Sequence, residues 1–148
     1  MDMRSFLAHA VHLELEAEMV YLHLIDLTKE RGTQAASQFF GEMANYSRLH
    51  RQTAMKRAGF ATLHDVPAVD DAYAVGGETA ELGGERLPLD LEAATALALA
   101  AERRGIAVYD QVARSTDDAE IKALAAAFAD EERAHVLALE RFIGLKPY

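Results

Sequence analysis

The sequence predicts an all-α protein, a bundle of four helices with a long connection between the second and third. Apolar residues recur every three or four positions over four long segments, which is the period of an amphipathic helix. The connections within the first pair and within the second pair are very short, so the helices of each pair are expected to lie side by side and antiparallel. A chain of 148 residues fits one domain, spanning residues 1–148.

The first two helices are predicted over about residues 3–31 and 34–58. Gly32 is suited to ending the first, Thr33 can cap the second, and Gly59 follows it. The apolar face of the first helix comprises Phe6, Leu7, Ala10, Val11, Ala17, Tyr21, Leu24, Ile25 and Thr28. The inner face of the second is predicted to comprise Phe39 or Phe40, Met43, Ala44, Ser47, His50 and Ala54.

Residues 60–88 differ from the rest of the chain, with two prolines, the pairs Gly76-Gly77 and Gly83-Gly84, and no sustained period. A connection this long is unusual inside a compact domain unless it is functional or crosses the fold. We expect it to carry the chain from one end of the bundle to the other. A short helix over about 62–66 and a strand over about 72–75 are both left open.

The third and fourth helices are predicted over about residues 89–115 and 117–143. Pro88 and Asp90 can open the third, Thr116 can cap the fourth, and Gly144 can end it. Two short turns and one long middle connection indicate a crossover bundle rather than a simple up-down-up-down arrangement.

Composition excludes several functions. The formal net charge is −9, which disfavours nucleic acid as a partner because phosphates would be repelled. The chain has no cysteine, hence no disulfide scaffold and no thiolate ligand. No run of 18 apolar residues predicts a membrane span, and acidic residues interrupt the apolar N-terminal stretch, so no signal peptide is predicted. We therefore expect a cytoplasmic location.

A set of metal-ligand residues is repeated in the two halves of the sequence. Residues three apart share a helix face, so Glu132 and His135 can aim a carboxylate and an imidazole at one point, as ligands of iron, manganese or zinc. Di-metal bundles use one Glu on each of two helices and Glu-x-x-His on each of the other two. Five of these six ligands are present, namely Glu14, His50, Glu102, Glu132 and His135, and Ser47 occupies the sixth position.

A second pattern is also repeated in the two halves. Helix 1 has Glu14-x-x-Ala17-x-x-x-Tyr21, and helix 3 has Glu102-x-x-Gly105-x-x-x-Tyr109. The chain resembles the rubrerythrin members of the ferritin-like di-iron carboxylate superfamily over all four helices. The resemblance implies two iron ions, with manganese or zinc as alternatives.

By the same resemblance, Glu14 and Glu102 would each bind one metal ion and Glu132 would bridge the two. His50 and His135 would bind one metal ion each. Tyr21 and Tyr109 would donate hydrogen bonds that hold ligand carboxylates in place. Ala17 and Gly105 would let the facing helices approach closely.

The sequence departs from the family pattern in two ways. Ser47 replaces the second bridging carboxylate, so we expect an open edge beside it and weaker or asymmetric metal occupancy. Glu18 lies one turn beyond Glu14 and is a candidate substitute, since its counterpart in helix 3 is apolar Ile106. The cysteine-ligated rubredoxin iron of a complete rubrerythrin is absent, so an external electron donor is required.

The leading hypothesis is a non-haem di-iron protein of the oxidoreductase type that reacts with peroxide or O2 or handles iron itself. The alternatives are a metal-binding or iron-storage protein with little turnover, and a helical bundle whose metal site has decayed. The competing explanation for the five candidate ligands is a set of surface salt-bridging residues on amphipathic helices. We interpret Glu131, Glu140 and the Arg103-Arg104 pair as a solvated helix face. By resemblance, we also expect a homodimer.

Overall fold

The computed structural model describes residues 1–69 and 87–145. Its four α-helices are α1 (Met3–Arg31), α2 (Gln34–Ala58), α3 (Leu91–Ser115) and α4 (Ala119–Gly144), with a short 3-10 helix at Leu63–Asp65 between α2 and α3. No strand occurs in the described ranges. The prediction of an all-α four-helix bundle is confirmed. The strand considered over 72–75 lies outside the described residues.

The first helix pair begins and ends with the residues that the sequence indicates. The Thr33 hydroxyl accepts a hydrogen bond from the Ala36 N–H at 3.0 Å, which satisfies a free amide at the start of α2. Gly59 follows α2 with φ of 80°, a left-handed conformation that glycine adopts without strain.

The second pair begins later than predicted, because aspartates cap both helices. The Asp90 carboxylate accepts from the Ala93 N–H at 3.2 Å, so α3 starts at Leu91. The Asp118 carboxylate accepts from two amides of the first turn of α4, and Thr116 instead ends α3. The later start of α3 and that of α4 have the same cause, because a carboxylate is favoured near the positive end of the helix dipole.

The helices are arranged as a crossover bundle. α1 packs against α2 and α3, and α3 packs against α4. Side chains join α2 and α4, with Phe39 stacked on Phe142 and Tyr46 stacked on His135. None of the helices in the described parts of the chain has an apolar stretch sufficient to cross a membrane.

Two apolar clusters fill the ends of the bundle and leave a layer between them. One cluster includes Leu24, Phe40 and Phe142, and the other includes Phe6 and Ile121. Along every helix, the residues predicted as metal ligands fall between the positions that supply these clusters. The fold therefore places the charged side chains in the middle of the bundle, where apolar packing on both sides holds them.

Candidate metal centre

The middle layer contains three buried carboxylates, those of Glu14, Glu102 and Glu132. Burying a charged group without a partner is costly, so their surroundings matter. The imidazoles are close: His50 Nδ1 lies 3.6 Å from a Glu14 oxygen, and His135 Nδ1 lies 3.4 Å from Glu102 and 3.6 Å from Glu132. The structure thus brings all five predicted ligands together.

These side chains form two groups that could each hold a metal ion. The first is Glu14, His50 and Glu132, and the second is Glu102, Glu132 and His135. In each group, one ligand atom from every residue lies within 4.8 Å of the others. Glu132 belongs to both groups, which is the arrangement of a carboxylate shared by two metal ions.

The polar atoms of the layer fit a cation better than they fit one another. In the described parts of the chain, Glu102 Oε2 and His135 Nδ1 are buried without a hydrogen-bond partner. Buried polar atoms of native proteins are nearly always paired, so such atoms require an explanation. A bound divalent cation accounts for both, because carboxylate oxygen and imidazole nitrogen suit iron, manganese and zinc.

The ionisation of the layer is strongly perturbed. Burial raises the pKa of Glu14 to about 7, opposed by the Glu132 carboxyl and reinforced by the charge of Glu102. Burial also raises the pKa of Glu102 to about 8, and there Glu132 acts in the same direction. Burial also raises the pKa of Glu132. Burial alone would lower the pKa of His135, but the Glu102 and Glu132 carboxylates beside its Nδ1 outweigh this and raise the pKa to about 10. The metal-free layer therefore retains protons that a cation would displace.

The two tyrosines behave differently. The Tyr21 hydroxyl donates to Glu102 Oε1 at 2.9 Å, as the resemblance implies. The Tyr109 hydroxyl is equally buried but has no hydrogen-bond partner among the described residues. Only Tyr21 therefore holds a ligand carboxylate in this structure.

The small residues of the repeated pattern, Ala17 and Gly105, are also buried. Ala17 belongs to the apolar cluster around Leu24, and Gly105 lies against Glu132. A Cβ atom added at Gly105 would lie 3.5 Å from Glu132 Cγ, an ordinary contact distance. An alanine at position 105 would therefore fit between α3 and α4 at their present separation.

Ser47 does not provide the open edge that we expected. Its side chain is completely buried, and its hydroxyl has no partner in the described ranges. The solvent-facing side lies instead around His50, beside a cavity of about 200 Å³. The cavity is lined by Ala10, Glu14, His50, Thr53, Tyr109, Phe128 and Glu131.

Glu18, the candidate substitute ligand, belongs to neither metal-binding group. Both of its carboxylate oxygens contact Arg51 Nη2, at 3.1 and 3.2 Å. Because the pair is largely buried, separating it would leave Arg51 without its partner. In this structure, Glu18 therefore serves to pair with Arg51.

Sequence reasoning missed three side chains around the layer. Glu131 lies with a carboxylate oxygen 3.4 Å from His50 Nε2, and the Tyr46 ring stacks on the His135 ring. Arg104 is buried and pairs with Glu16, so the prediction of a solvated face is wrong for Arg104. No local spacing reveals these contacts, because each joins different helices.

The position of Glu131 leads to a testable expectation. A carboxylate beside the outer nitrogen of a ligand histidine fixes the ring orientation, and losing it typically costs about 10–100-fold in metal affinity. Glu131→Gln is expected to weaken the His50 group by about this factor and to leave the His135 group unchanged. Competition with a chromophoric chelator measures both affinities. Glu140→Gln, on the exposed surface of α4, is the control, and equal affinities for wild type and Glu131→Gln would contradict the assignment.

Comparison with known proteins agrees with this geometry. A family model described as Rubrerythrin matches residues 5–143. The chain is also similar to a solved structure of an uncharacterized conserved protein from Magnetospirillum magnetotacticum, with 30% sequence identity and a TM-score of 0.76. That match covers 97% of this chain and 95% of the other. A search of the curated proteins finds no match.

Proposed function

The chain belongs to the rubrerythrin family, and from this premise we propose that it is a non-haem di-iron protein that binds two metal ions in the middle of its bundle. One ion is held by Glu14, His50 and Glu132, and the other by Glu102, Glu132 and His135. The observation that carries the proposal is the sharing of Glu132 between the two groups. Iron is the metal that the family implies, with manganese and zinc as alternatives.

We further propose that the centre reacts with peroxide or O2. Two ferrous ions supply the two electrons that reduction of peroxide requires. The protein contributes the rest: Tyr21 orients Glu102, and the cavity beside Glu14 and His50 can admit a small oxidant. The apolar clusters on both sides limit access from the ends of the bundle. With no cysteine in the chain, the reducing electrons must come from an external donor.

A second function, metal binding with little turnover, is favoured by Ser47. A buried neutral hydroxyl replaces a carboxylate, so the centre has one negative charge fewer than the family pattern. Because a neutral hydroxyl binds metal poorly, the group that contains His50 should be the weaker one. A homodimer and a cytoplasmic location are also proposed, from the resemblance and the sequence respectively.

Metal content of wild type and Ser47→Glu tests the ligand set. Protein reloaded anaerobically with ferrous iron is expected to bind two ions per chain, the second more weakly than the first. Ser47→Glu is expected to tighten the weaker site by restoring a carboxylate next to His50. Elemental analysis and titration measure both quantities. Absence of bound metal in both proteins would contradict the proposal.

The two functions are separated by turnover. For the oxidoreductase, peroxide is expected to oxidise ferrous iron added at an equal amount much faster with wild type than with Glu132→Ala, which should not bind the iron tightly. Stopped-flow absorbance of ferric iron measures the rate. Equal and slow oxidation in both proteins would leave metal binding as the function.

A further inference from the structure

Tyr46 on α2 connects the protein surface with the metal-binding layer. Its side chain is 50% exposed, and its ring stacks on the His135 ring with centroids 5.6 Å apart and an interplanar angle of 26°. The His135 ring stacks in turn on the His50 ring at 5.5 Å and 21°. A solvent-accessible phenol is thus in direct contact with a proposed metal ligand.

The two metal-binding groups differ in their enclosure. The His135 side chain is 12% exposed and lies beside fully buried Glu102, whereas the His50 side chain is 29% exposed. Ser47 precedes His50 by one turn of α2, so the missing carboxylate should weaken that group further. A chain with a single iron ion is therefore expected to hold it at Glu102, Glu132 and His135, the group that Tyr46 contacts.

A centre with one ferrous ion supplies only part of the electrons that peroxide reduction requires. Reduction of hydrogen peroxide to water takes two electrons, and one ferrous ion supplies one. We propose that Tyr46 supplies the second electron when the centre carries one iron ion. This inference rests on the proposed function, because it requires iron at His135.

The proposed step reduces one molecule of hydrogen peroxide to water. Hydrogen peroxide, one ferrous ion, the Tyr46 phenol and one proton from water give two water molecules, one ferric ion and a neutral Tyr46 phenoxyl radical. The O–O bond breaks, and the iron ion and Tyr46 each lose one electron. The phenolic proton leaves together with the Tyr46 electron, and the exposure of the side chain gives that proton a route to solvent.

Other side chains are less suited to this role. The chain has no cysteine and no tryptophan, which leaves its five tyrosines as the side chains most easily oxidised by one electron. Tyr21 is buried, so its phenolic proton has no direct route to water. The Tyr21 hydroxyl donates to Glu102, so loss of its proton along this hydrogen bond would protonate a proposed metal ligand. Tyr109 lines the cavity beside Glu14 and His50, the other metal-binding group. Tyr73 and Tyr148 lie outside the described residues.

The test uses the full chain loaded anaerobically with one ferrous ion and treated with hydrogen peroxide. Freeze-quench electron paramagnetic resonance detects a phenoxyl radical, and titration gives the peroxide consumed per iron. We expect a radical and one peroxide per iron in wild type. In Tyr46→Phe, which keeps the stacked ring and loses the phenol, the radical should be absent and peroxide consumption should fall twofold, to one per two irons.

Further variants distinguish the possible failures. A radical that persists in Tyr46→Phe but disappears in Tyr21→Phe, Tyr73→Phe, Tyr109→Phe or Tyr148→Phe would overturn the assignment to Tyr46. Wild type that binds and oxidises iron without a radical, at one peroxide per two irons, would overturn the inference and leave the proposed function intact. Wild type that binds no iron would overturn both. Iron binding by Tyr46→Phe is measured separately, so that a lost radical is not mistaken for a lost metal.

Discussion

Glu132→Gln is expected to abolish tight iron binding at both groups. Glu132 is the one carboxylate common to both groups, and an amide supplies neither its charge nor a second anionic oxygen. Iron at about 100 times its dissociation constant stabilises a protein by about 2.7 kcal/mol per site, and the variant should lose this gain. Thermal unfolding with and without ferrous iron, together with metal content, measures the effect.

The metal-free forms should show the opposite order of stability. Wild type without metal keeps three carboxyl groups in a buried layer where the ionised form is costly, and replacing one with a neutral amide removes part of that cost. Metal-free Glu132→Gln should therefore equal or exceed metal-free wild type in its free energy of unfolding, by about 1 kcal/mol. Glu140→Gln, on the same helix but exposed, should behave as wild type in both forms. If Glu132→Gln retained one tightly bound iron ion, Glu132 would belong to a single group.

The sequence predicted the helices and the five ligands because both depend on local spacing. A period of three to four residues defines a helix face, and the same period aligns Glu132 with His135. Two short connections and one long one then determine which helices are neighbours. Five residues from four helices could therefore be assigned to one layer without coordinates.

The spacing of residues along the sequence could not predict contacts between side chains of different helices. Glu131 adjoins Glu132 in sequence, so only the position of α2 shows that it contacts His50. Nothing in the sequence distinguishes Tyr46 from a surface residue, and only the position of α4 shows that it contacts His135. The cap of α4 was missed for another reason: Thr116 and Asp118 are both suitable caps, and Asp118 is favoured because its carboxylate lies near the positive end of the helix dipole.

Without metal, the protein is expected to lose stability as the pH rises from about 5 to about 8. Burial raises the pKa of Glu14 to about 7 and that of Glu102 to about 8, whereas the ordinary value is 4.5. Between these values the folded state binds more protons than the unfolded state, so the stabilisation is complete below the ordinary pKa and is lost as the pH passes the raised values. The raised pKa of His135, about 10 against 6.5, acts in the same direction at higher pH.

The loss should be on the order of a few kcal/mol. Urea unfolding of chelator-treated protein at several pH values measures it, and Glu102→Gln should show a shallower dependence because one of the titrating carboxyls is gone. A free energy of unfolding that increases over this pH range would contradict the assignment.

The stabilisation that bound metal provides should increase with pH, opposite to the pH dependence of the metal-free protein. A cation binds the ionised carboxylates and the neutral imidazole, so binding releases protons and its affinity increases with pH. Manganese, as a probe that avoids oxidation under anaerobic conditions, should therefore raise the melting temperature more at about pH 8 than at about pH 6. Proton release measured in weakly buffered solution provides an independent check. A gain that does not change with pH would show that the metal binds away from Glu14, Glu102 and His135, since these groups retain protons until a cation displaces them.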